Sequence, residues 1–372
     1  MPSRSAQAFA AEVRMERILV INPGSTSTKI AVFDDETKVL GETLRHSDED
    51  LARFSWVMEE VDYRKALIEQ RLLEKGVELS TLTCIMARGG QIPPVPSGGF
   101  AVTQEMVDYL YSVKTGAHVS NTACVIGFEM SKTLGIPVYV YDPVTVDELA
   151  PVARITGMPE LTKQSRGHAL NTHAMARRCA RDILHKPIEE CTFIVAHLGG
   201  GCSVWLIHEG YSIDMYSDDD AGFAPERCGR LQAIELVSLC YSGKYTLSQM
   251  AKKVRGNAGW RALLGTSDAR EVETRIAAGD EYARLVYDAF NYNISKSIGD
   301  LATVVRGKVD RIILTGGVAY SKMVTDSISS YVDWIAPVEL MPGEFEMEAL
   351  AEGGLRILRG EEAPKPIDWQ RK

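Results

Sequence analysis

The sequence predicts an α/β protein assembled from two similar domains, and two observations support this prediction. Runs rich in isoleucine and valine, which suit strands, alternate with helical patterns along all 372 residues. The stretch RILVINPGSTSTKIAVFD at 17–34 is echoed by TFIVAHLGGGCSVWLIHE at 192–209, each a strand, a polar loop of seven residues and a strand. One constant offset pairs Gly24 with Gly199 and Thr28 with Ser203. An internal echo of this kind is typical of a duplicated domain.

Individual elements follow from apolar spacing and from helix-ending residues. Two closely spaced strands, 17–21 and 29–34, should form a hairpin. A helix capped by Asn121 should end near residue 135 and lead into a strand over 136–141. Apolar residues at steps of three and four predict a long helix over 283–305 that packs against a sheet.

Composition excludes several classes of protein. The net charge of -9 leaves no basic surface for a long nucleic acid. Seven cysteines are scattered without a CxxC pair, which argues against a zinc site and a disulfide framework and indicates reduced thiols in the cytoplasm. No apolar run approaches the ~18 residues that span a bilayer, so no membrane partner is expected. Residues 1–15, interrupted by Glu12 and Arg14, are interpreted as an extension before the first strand.

Both hairpin loops have the composition of phosphate sites. Glycine lets backbone N–H groups approach an anion closely, and serine and threonine add hydroxyl donors. Neither loop fits the Rossmann or the Walker pattern in its structural context. Two such loops would grip one polyphosphate. The candidate nucleotide-binding residues of the two loops are Asn22, Ser25, Ser27, Lys29, His197, Gly199, Gly200 and Gly201.

Five motifs in order resemble the acetate and butyrate kinase family. They are NPGSTSTK at 22–29, ARGG at 87–90, HLGGG at 197–201, PERCG at 225–229 and LTGG at 314–317. The resemblance covers roughly residues 16–360 and implies the actin-like ATPase architecture, in which two ribonuclease-H-like domains enclose a nucleotide cleft. On this basis we expect an N-terminal domain at 16–149 with 346–372 and a C-terminal domain at 150–345.

The resemblance also implies an activity. Members of this family use ATP to phosphorylate the carboxylate of a small acid, reversibly giving an acyl phosphate and ADP, and assemble at least as dimers. Gly200 stands where acetate kinases have asparagine, and Arg88 stands where they have histidine, so butyrate is the favoured acid. Acetate, propionate and branched short-chain acids stay open, because one methylene is worth only ~1–3 kcal/mol in an apolar pocket. A nucleotide-switch ATPase without an acyl site is the alternative of another class.

The expected chemistry needs cations and no general base. A carboxylic acid with a pKa of about 4 to 5 is already ionised at neutral pH, so the obstacle is repulsion between two anions. Arg88 and Arg227 are predicted to offset it. The resemblance assigns Arg227 to the transferring phosphoryl group and leaves Arg88 for the substrate carboxylate. It also assigns His168 a hydrogen bond to that phosphoryl group in the transition state, whereas His118 matches only loosely.

Magnesium is expected to bridge the ATP phosphates. Asp142, in VYVYDPVT, and Glu348, in EMEALAE, match the acidic positions of the family that place Mg²⁺, and Asp142 is also counted as catalytic.

The adenosine end of the nucleotide is assigned by the same resemblance. Asp268 and Arg270, in TSDAR, match the segment that contacts adenosine, and Gly316 and Gly317 would let backbone lie against the base or ribose. The acidic run at 218–220 is interpreted as loop charge.

Overall fold

The computed structural model describes residues 15–113 and 118–370, and within them eleven strands alternate with helices. The strands are β1 (Arg17–Pro23), β2 (Ser27–Asp34), β3 (Thr37–Arg45), β4 (Cys84–Ala87), β5 (Gly99–Ala101), β6 (Val138–Tyr141), β7 (Thr192–Leu198), β8 (Cys202–His208), β9 (Tyr211–Tyr216), β10 (Arg311–Gly316) and β11 (Val338–Pro342). The α-helices are α1 (Asp48–Leu51), α2 (Val61–Glu74), α3 (Gln104–Ser112), α4 (Asn121–Leu134), α5 (Ala169–Arg178), α6 (Ala233–Cys240), α7 (Leu247–Val254), α8 (Gly259–Leu264), α9 (Ala269–Ala277), α10 (Glu281–Val304), α11 (Lys322–Val332) and α12 (Glu346–Leu358).

The described residues fall into two compact units. The first contains those within Met1–Arg88, Gly99–Val140 and Leu350–Pro364, and the second contains those within Gly89–Gly98, Tyr141–Ala349 and Lys365–Lys372. No helix among the described residues is both long and apolar enough to cross a bilayer.

The first unit is built on a six-stranded sheet in the order β3-β2-β1-β4-β6-β5. Strands β1, β2 and β3 form an antiparallel meander, and β4 and β6 continue the sheet in parallel. Strand β1 lies in the interior of this sheet, and its residues 18–21 are fully buried. That burial explains why this strand is an unbroken apolar run rather than an alternating one.

The second unit repeats this plan in a five-stranded sheet with the order β11-β10-β7-β8-β9. Here β7, β8 and β9 form the antiparallel meander, and β10 and β11 continue in parallel. Helix α10 supplies Phe290, Ile294 and Ile298 to the core of this unit, as its predicted apolar spacing requires. The shared strand order confirms the predicted α/β fold of two duplicated halves.

The structure corrects two local details. In the first hairpin Pro23 pairs with Thr28, whereas in the second Leu198 pairs with Cys202, so the second loop is one residue shorter. The constant offset between the two halves therefore holds only up to the loops. Helix α4 is preceded by Ser120, so Asn121 is its buried first residue rather than its cap. The interpretation of residues 1–14 lies outside the described residues.

Candidate active site

Arg64, which sequence analysis did not single out, hydrogen-bonds to the first loop from the protein interior. Arg64, on α2, is fully buried and donates from Nη1 to the carbonyl oxygen of Gly24 at 3.1 Å and to Thr28 Oγ1 at 2.8 Å. Its Nη2 donates to the Ser25 carbonyl at 3.3 Å, and its Nε donates to Glu60 at 2.8 Å. These bonds fix the carbonyl groups of the loop toward the protein. Arg64 lies 36 residues from Thr28 in the sequence, so the sequence alone did not indicate that the two side chains are in contact.

The predicted polar residues of the first loop lie around this turn. Ser25 is exposed and Ser27 is half-buried, so both hydroxyl-bearing residues border solvent. Asn22 pairs with Lys29 across the hairpin, and Lys29 is exposed on β2. The structure therefore brings the four predicted residues together at one end of β1 and β2. Their contact with a nucleotide stays a prediction.

Arg88 directly follows β4 and lies beside the first loop's own strand. Its backbone N–H donates to the Ile21 carbonyl at 2.9 Å, and only 8% of the residue is exposed. Burial lowers the pKa of His118, and the nearby Arg88 cation lowers it further. His118 matches the family pattern only loosely. The structure nevertheless places it close enough to Arg88 for the cation to affect its ionisation.

The second loop is joined directly to the PERCG segment. The backbone N–H of Glu226 donates to the Gly200 carbonyl at 2.9 Å, which holds Arg227 next to the glycine turn. Arg227 donates from Nε to Asp218 at 2.9 Å and from Nη1 to the Glu226 carbonyl at 3.2 Å. Among the described residues Nη2 of Arg227 makes no hydrogen bond, and the side chain is 24% exposed. Arg227 is thus anchored on one edge and open on the other.

Asp218 is more than a solvent-exposed charge in a loop, because its carboxylate is bound by two arginines. It accepts hydrogen bonds from Arg227 and also from Arg255 Nη2 at 3.1 Å. A Cβ atom at Gly201 would lie 3.1 Å from its Oδ2, so the carboxylate touches the glycine loop. Of these two arginines, only Arg255 pairs with Asp219. The interpretation of this run as loop charge is wrong for Asp218, because the fold turns that carboxylate inward.

Two histidines stack beside the second loop. The rings of His168 and His197 lie 3.9 Å apart between centroids, with planes 11° apart. His197 is the buried next-to-last residue of β7, and its Nδ1 lies 3.2 Å from Asn171 Oδ1. His168 precedes α5, and its Nδ1 lies 2.9 Å from Ser203 Oγ. The predicted histidines, glycine loop and arginine thus form one cluster within the second unit.

A cavity of about 740 Å³ lies in the same unit, where adenosine contacts were predicted. Asp268 and Arg270, both predicted, lie on its wall with Glu273 and Tyr320. Asp268 caps α9 by accepting from the Arg270 backbone N–H, and it also pairs with the Arg270 guanidinium. These contacts lower the pKa of Asp268 to about 2, so its carboxylate stays ionised and paired with Arg270 on the cavity wall. The volume lies within the range of small-molecule sites.

The two glycines after β10 behave differently. Gly317 lines the cavity, and a Cβ atom there would meet open space. Gly316 has φ of 90°, and a Cβ atom there would lie 2.3 Å from the Leu198 carbonyl oxygen. Only glycine fits at Gly316, because backbone crosses backbone at that point. Gly317 can therefore face a ligand, whereas Gly316 sets the path of the chain.

Asp142 directly follows β6, at the end of its strand as predicted. It is fully buried with φ of 40°, and its Oδ1 accepts from the Gly98 N–H at 2.6 Å. Its Oδ2 accepts from Arg177 at 2.9 Å. Burial pushes the pKa of Asp142 upward, but Arg177 and His173 outweigh it and hold the pKa below its usual range. The role of Asp142 with Mg²⁺, directly or through water, stays a prediction.

Glu348 is half-buried in the first turn of α12. No group of three or more histidine, cysteine, aspartate or glutamate side chains within residues 15–113 and 118–370 is arranged to hold a metal ion. Mg²⁺ in phosphoryl-transfer sites is commonly held by one or two carboxylates together with the substrate phosphates. Glu348, half-buried, and Asp142, fully buried, both stay predicted metal ligands.

Known proteins resemble this chain over most of its length. The family described as the acetokinase family matches residues 17–334. A protein named "Probable butyrate kinase 2" from Caldanaerobacter subterraneus subsp. tengcongensis is 48% identical over 352 residues, which cover 94% of this chain and 99% of that protein.

Solved structures agree on the fold. An acetate kinase from Porphyromonas gingivalis matches with a TM-score of 0.76 at 17% identity, covering 92% of this chain and 100% of that one. A propionate kinase from Francisella tularensis subsp. tularensis matches with a TM-score of 0.73 at 17% identity, covering 91% and 99%. The predicted architecture is confirmed by these matches, and the chain belongs to the acetokinase family.

Proposed function

We propose that this protein transfers the γ-phosphoryl group of ATP to the carboxylate of a short-chain fatty acid, with butyrate as its main substrate. The observation that carries the proposal is the cluster of the second unit, in which Arg227 and His168 meet one glycine loop. An anchored guanidinium, an imidazole and a backbone turn are the donors that a phosphoryl group in transfer requires. The 48% identical relative named as a butyrate kinase supports the choice of acid.

The electrostatic requirement explains the use of arginine. Unit charges ~4 Å apart repel by about 4 kcal/mol at an effective dielectric of 20, and the γ-phosphate carries more than one charge. In the proposed reaction the open edge of Arg227 donates to the phosphoryl oxygens, and Arg88 receives the acid. His168 donates a further hydrogen bond to the phosphoryl group. No residue has to remove a proton from the acid, since it is already ionised.

The rest of the proposed site holds the nucleotide. Backbone N–H groups of the second glycine loop bind phosphate oxygens, and the cavity beside Asp268 and Gly317, in the same unit, takes the adenosine. Mg²⁺, when bound with ATP, would neutralise phosphate charge, with Asp142 and Glu348 as the proposed carboxylates. We further propose a cytoplasmic location, since no disulfide joins the described cysteines. A homo-oligomer is also proposed.

Acyl phosphate formation tests the function directly. Purified protein is incubated with Mg-ATP and one acid from a panel of acetate, propionate, butyrate, isobutyrate and isovalerate, and the product is trapped with hydroxylamine. We expect butyryl hydroxamate to form fastest. A higher rate on another acid would correct the substrate while keeping the chemistry. ATP hydrolysis at one rate whatever acid is added would instead favour the nucleotide-switch ATPase.

A further inference from the structure

The hydroxyl group of Ser203 lies fully buried between two aromatic rings. Trp205 Nε1 donates to Ser203 Oγ at 3.0 Å, and His168 Nδ1 lies 2.9 Å from the same oxygen. These are the only hydrogen bonds of Ser203 Oγ within the described parts of the chain. One hydroxyl group thus links a core tryptophan to the histidine proposed to touch the phosphoryl group.

The direction of these two bonds follows from the chemistry of each group. The indole nitrogen of Trp205 is a donor only, so the Ser203 O–H cannot point toward it. A buried O–H left without an acceptor costs about 1–3 kcal/mol. The acceptor within reach of the Ser203 proton is His168 Nδ1. A neutral His168 ring that accepts at Nδ1 carries its proton on Nε2.

We propose that Ser203 is a positioning residue that holds the proton of His168 on Nε2, so that this edge of the ring is a permanent hydrogen-bond donor. The proposal rests on the proposed function, in which His168 donates to the transferring phosphoryl group. A fixed donor needs no tautomer change at the moment of transfer, which is the advantage of a preorganised site. Ser203 itself does not touch the substrate.

The neighbouring His197 ring shows the opposite arrangement. Asn171 Nδ2 donates to the Gly343 carbonyl at 3.5 Å, and Thr315 donates to Asn171 Oδ1, so this oxygen is an acceptor. His197 Nδ1 must therefore donate to Asn171 Oδ1, and a neutral His197 ring keeps its proton on Nδ1. Of two rings stacked 3.9 Å apart, only His168 is set as a donor through Nε2.

Close packing holds His168 at the distance that this bond requires. A Cβ atom at Gly167 would lie 3.0 Å from the Trp205 ring and 3.1 Å from the Ser203 Cβ. The backbone before His168 therefore lies directly against the strand that carries Ser203 and Trp205. A glycine at this point lets His168 approach Ser203 without displacing the tryptophan.

The tautomer is measured on the resting protein, without substrate. Histidine is labelled with ¹⁵N, the His168 signals are assigned from their loss in His168→Asn, and spectra are recorded near pH 8. We expect Nδ1 to show the chemical shift of an unprotonated nitrogen and Nε2 that of a protonated one. Ser203→Ala should move both shifts toward a mixture of tautomers. Thr192→Val, which removes a hydroxyl bonded to His208 at the far end of the same strand pair, should leave the His168 signals unchanged.

Steady-state kinetics provide a second test of the role of Ser203. Ser203→Ala should lower kcat roughly ten-fold or more with little change in KM for ATP or acid, as for other residues that orient a functional side chain. Ser203→Cys, whose thiol is a weak donor, should recover part of the loss. A proton on Nδ1 of His168 in the unmodified protein, or a tautomer unchanged in Ser203→Ala, would overturn the proposal. If the tautomer is as expected but no acid is phosphorylated, the proposed function fails and the positioning role of Ser203 stands.

Discussion

Arg227 shows how a flexible side chain is made into a fixed donor. Its Nε is held by Asp218 and its Nη1 by a carbonyl of its own segment, which leaves one edge open. A guanidinium presents its donors in a rigid fork, so fixing one edge also aims the other. Because Arg255 binds Asp218 as well, the carboxylate is held in place from two sides. The open edge of Arg227 is thus positioned before any ligand binds.

The role of Asp218 can be separated from that of Arg227 by substitution. Arg227→Ala should lower kcat by about 2.7 kcal/mol or more in barrier, as for other preorganised donors. Asp218→Asn keeps the shape but weakens the anchor, so kcat should fall by a smaller factor, roughly ten-fold, while the protein stays folded. Asp219→Asn is the matched control, since Asp219 pairs with Arg255 and not with Arg227. Equal kinetic effects of Asp218→Asn and Asp219→Asn would rule out the anchoring role.

His46 makes the stability of the first unit depend on pH. Burial lowers its pKa from 6.5 to about 4, and the Arg64 cation contributes to the shift. Thr28 Oγ1 accepts from Arg64 and lies 2.9 Å from His46 Nε2, so the ring is hydrogen-bonded next to a buried cation. Between pH 6.5 and about 4 the unfolded chain binds a proton that the folded chain does not, so the free energy of unfolding falls as the pH drops.

Urea unfolding at pH 7 and pH 5 measures this dependence. The loss of unfolding free energy between the two pH values should be smaller for His46→Gln than for the unmodified protein. His185→Asn serves as the control, because His185 is exposed and should leave the loss unchanged. An identical pH dependence for the unmodified protein and His46→Gln would show that His46 does not titrate as expected.

At the residue scale, short motifs singled out side chains that the fold brings close together, and their roles stay predictions. Arg227 and His168 were chosen from short motifs, and the fold brings both to the second loop. Arg64, Asp218 and Ser203 were not assigned these roles, because their importance depends on partners that only the tertiary fold brings near. A carboxylate run such as that at 218–220 looks the same in sequence whether it faces solvent or an arginine.

At the scale of elements, the first hairpin depends on helix α2. A β-hairpin turn presents several carbonyl groups, and in the first loop those of Gly24 and Ser25 accept from the Arg64 guanidinium. The buried Arg64 is in turn paired with Glu60, one turn earlier on the same face. Helix α2 therefore determines the shape of a loop that lies about forty residues away in sequence.

Arg64→Met tests this dependence. The change leaves Glu60 and the loop carbonyls without their cation, so the free energy of unfolding should fall on the order of 3 kcal/mol. The loosened loop should also raise KM for ATP more than KM for the acid. Arg71→Met, on the same helix, removes a largely exposed ion pair with Glu42 and should cost under about 1 kcal/mol. The dependence would be refuted by equal losses of stability in the two variants.

Element prediction was accurate where apolar spacing was regular. Helix α10 was predicted within a few residues because burial on one face leaves a clear period in the sequence, and the first hairpin because its first strand is a continuous apolar run. The unequal loop lengths were not predicted, since glycine-rich turns carry no apolar period to count. The start of α4 was also misplaced, because Ser120 and Asn121 are both common caps.

At the scale of the whole molecule, duplication was visible because both halves begin with the same meander. Sheet order could not be read from the sequence, yet a repeated strand, loop and strand limited the two halves to one plan. The identity of the substrate acid, unlike the duplication, could not be read from the sequence. Discrimination among short acids depends on one or two methylenes, and neither strand order nor motif spacing records the size of a pocket.

One surface of the molecule is unusually apolar. In helix α6 no residue is buried, although most of its side chains are apolar and Glu235 is its only charged residue. The exposed apolar side chains on and around it are Leu231, Ile234, Val237, Leu239, Tyr241 and Leu247. A patch of this kind normally marks an interface.

We propose a second copy of the chain as the partner, because a two-fold interface uses the same patch on both copies and apolar side chains exposed on one copy would cover those of the other. Light scattering after size exclusion should show at least a dimer, which Ile234→Asp with Val237→Asp dissociates because burying two carboxylates without partners is costly. Leu285→Asp, at an exposed position on α10, should leave the assembly intact. A monomeric unmodified protein, or an oligomer that survives the double substitution, would show that α6 does not form this interface.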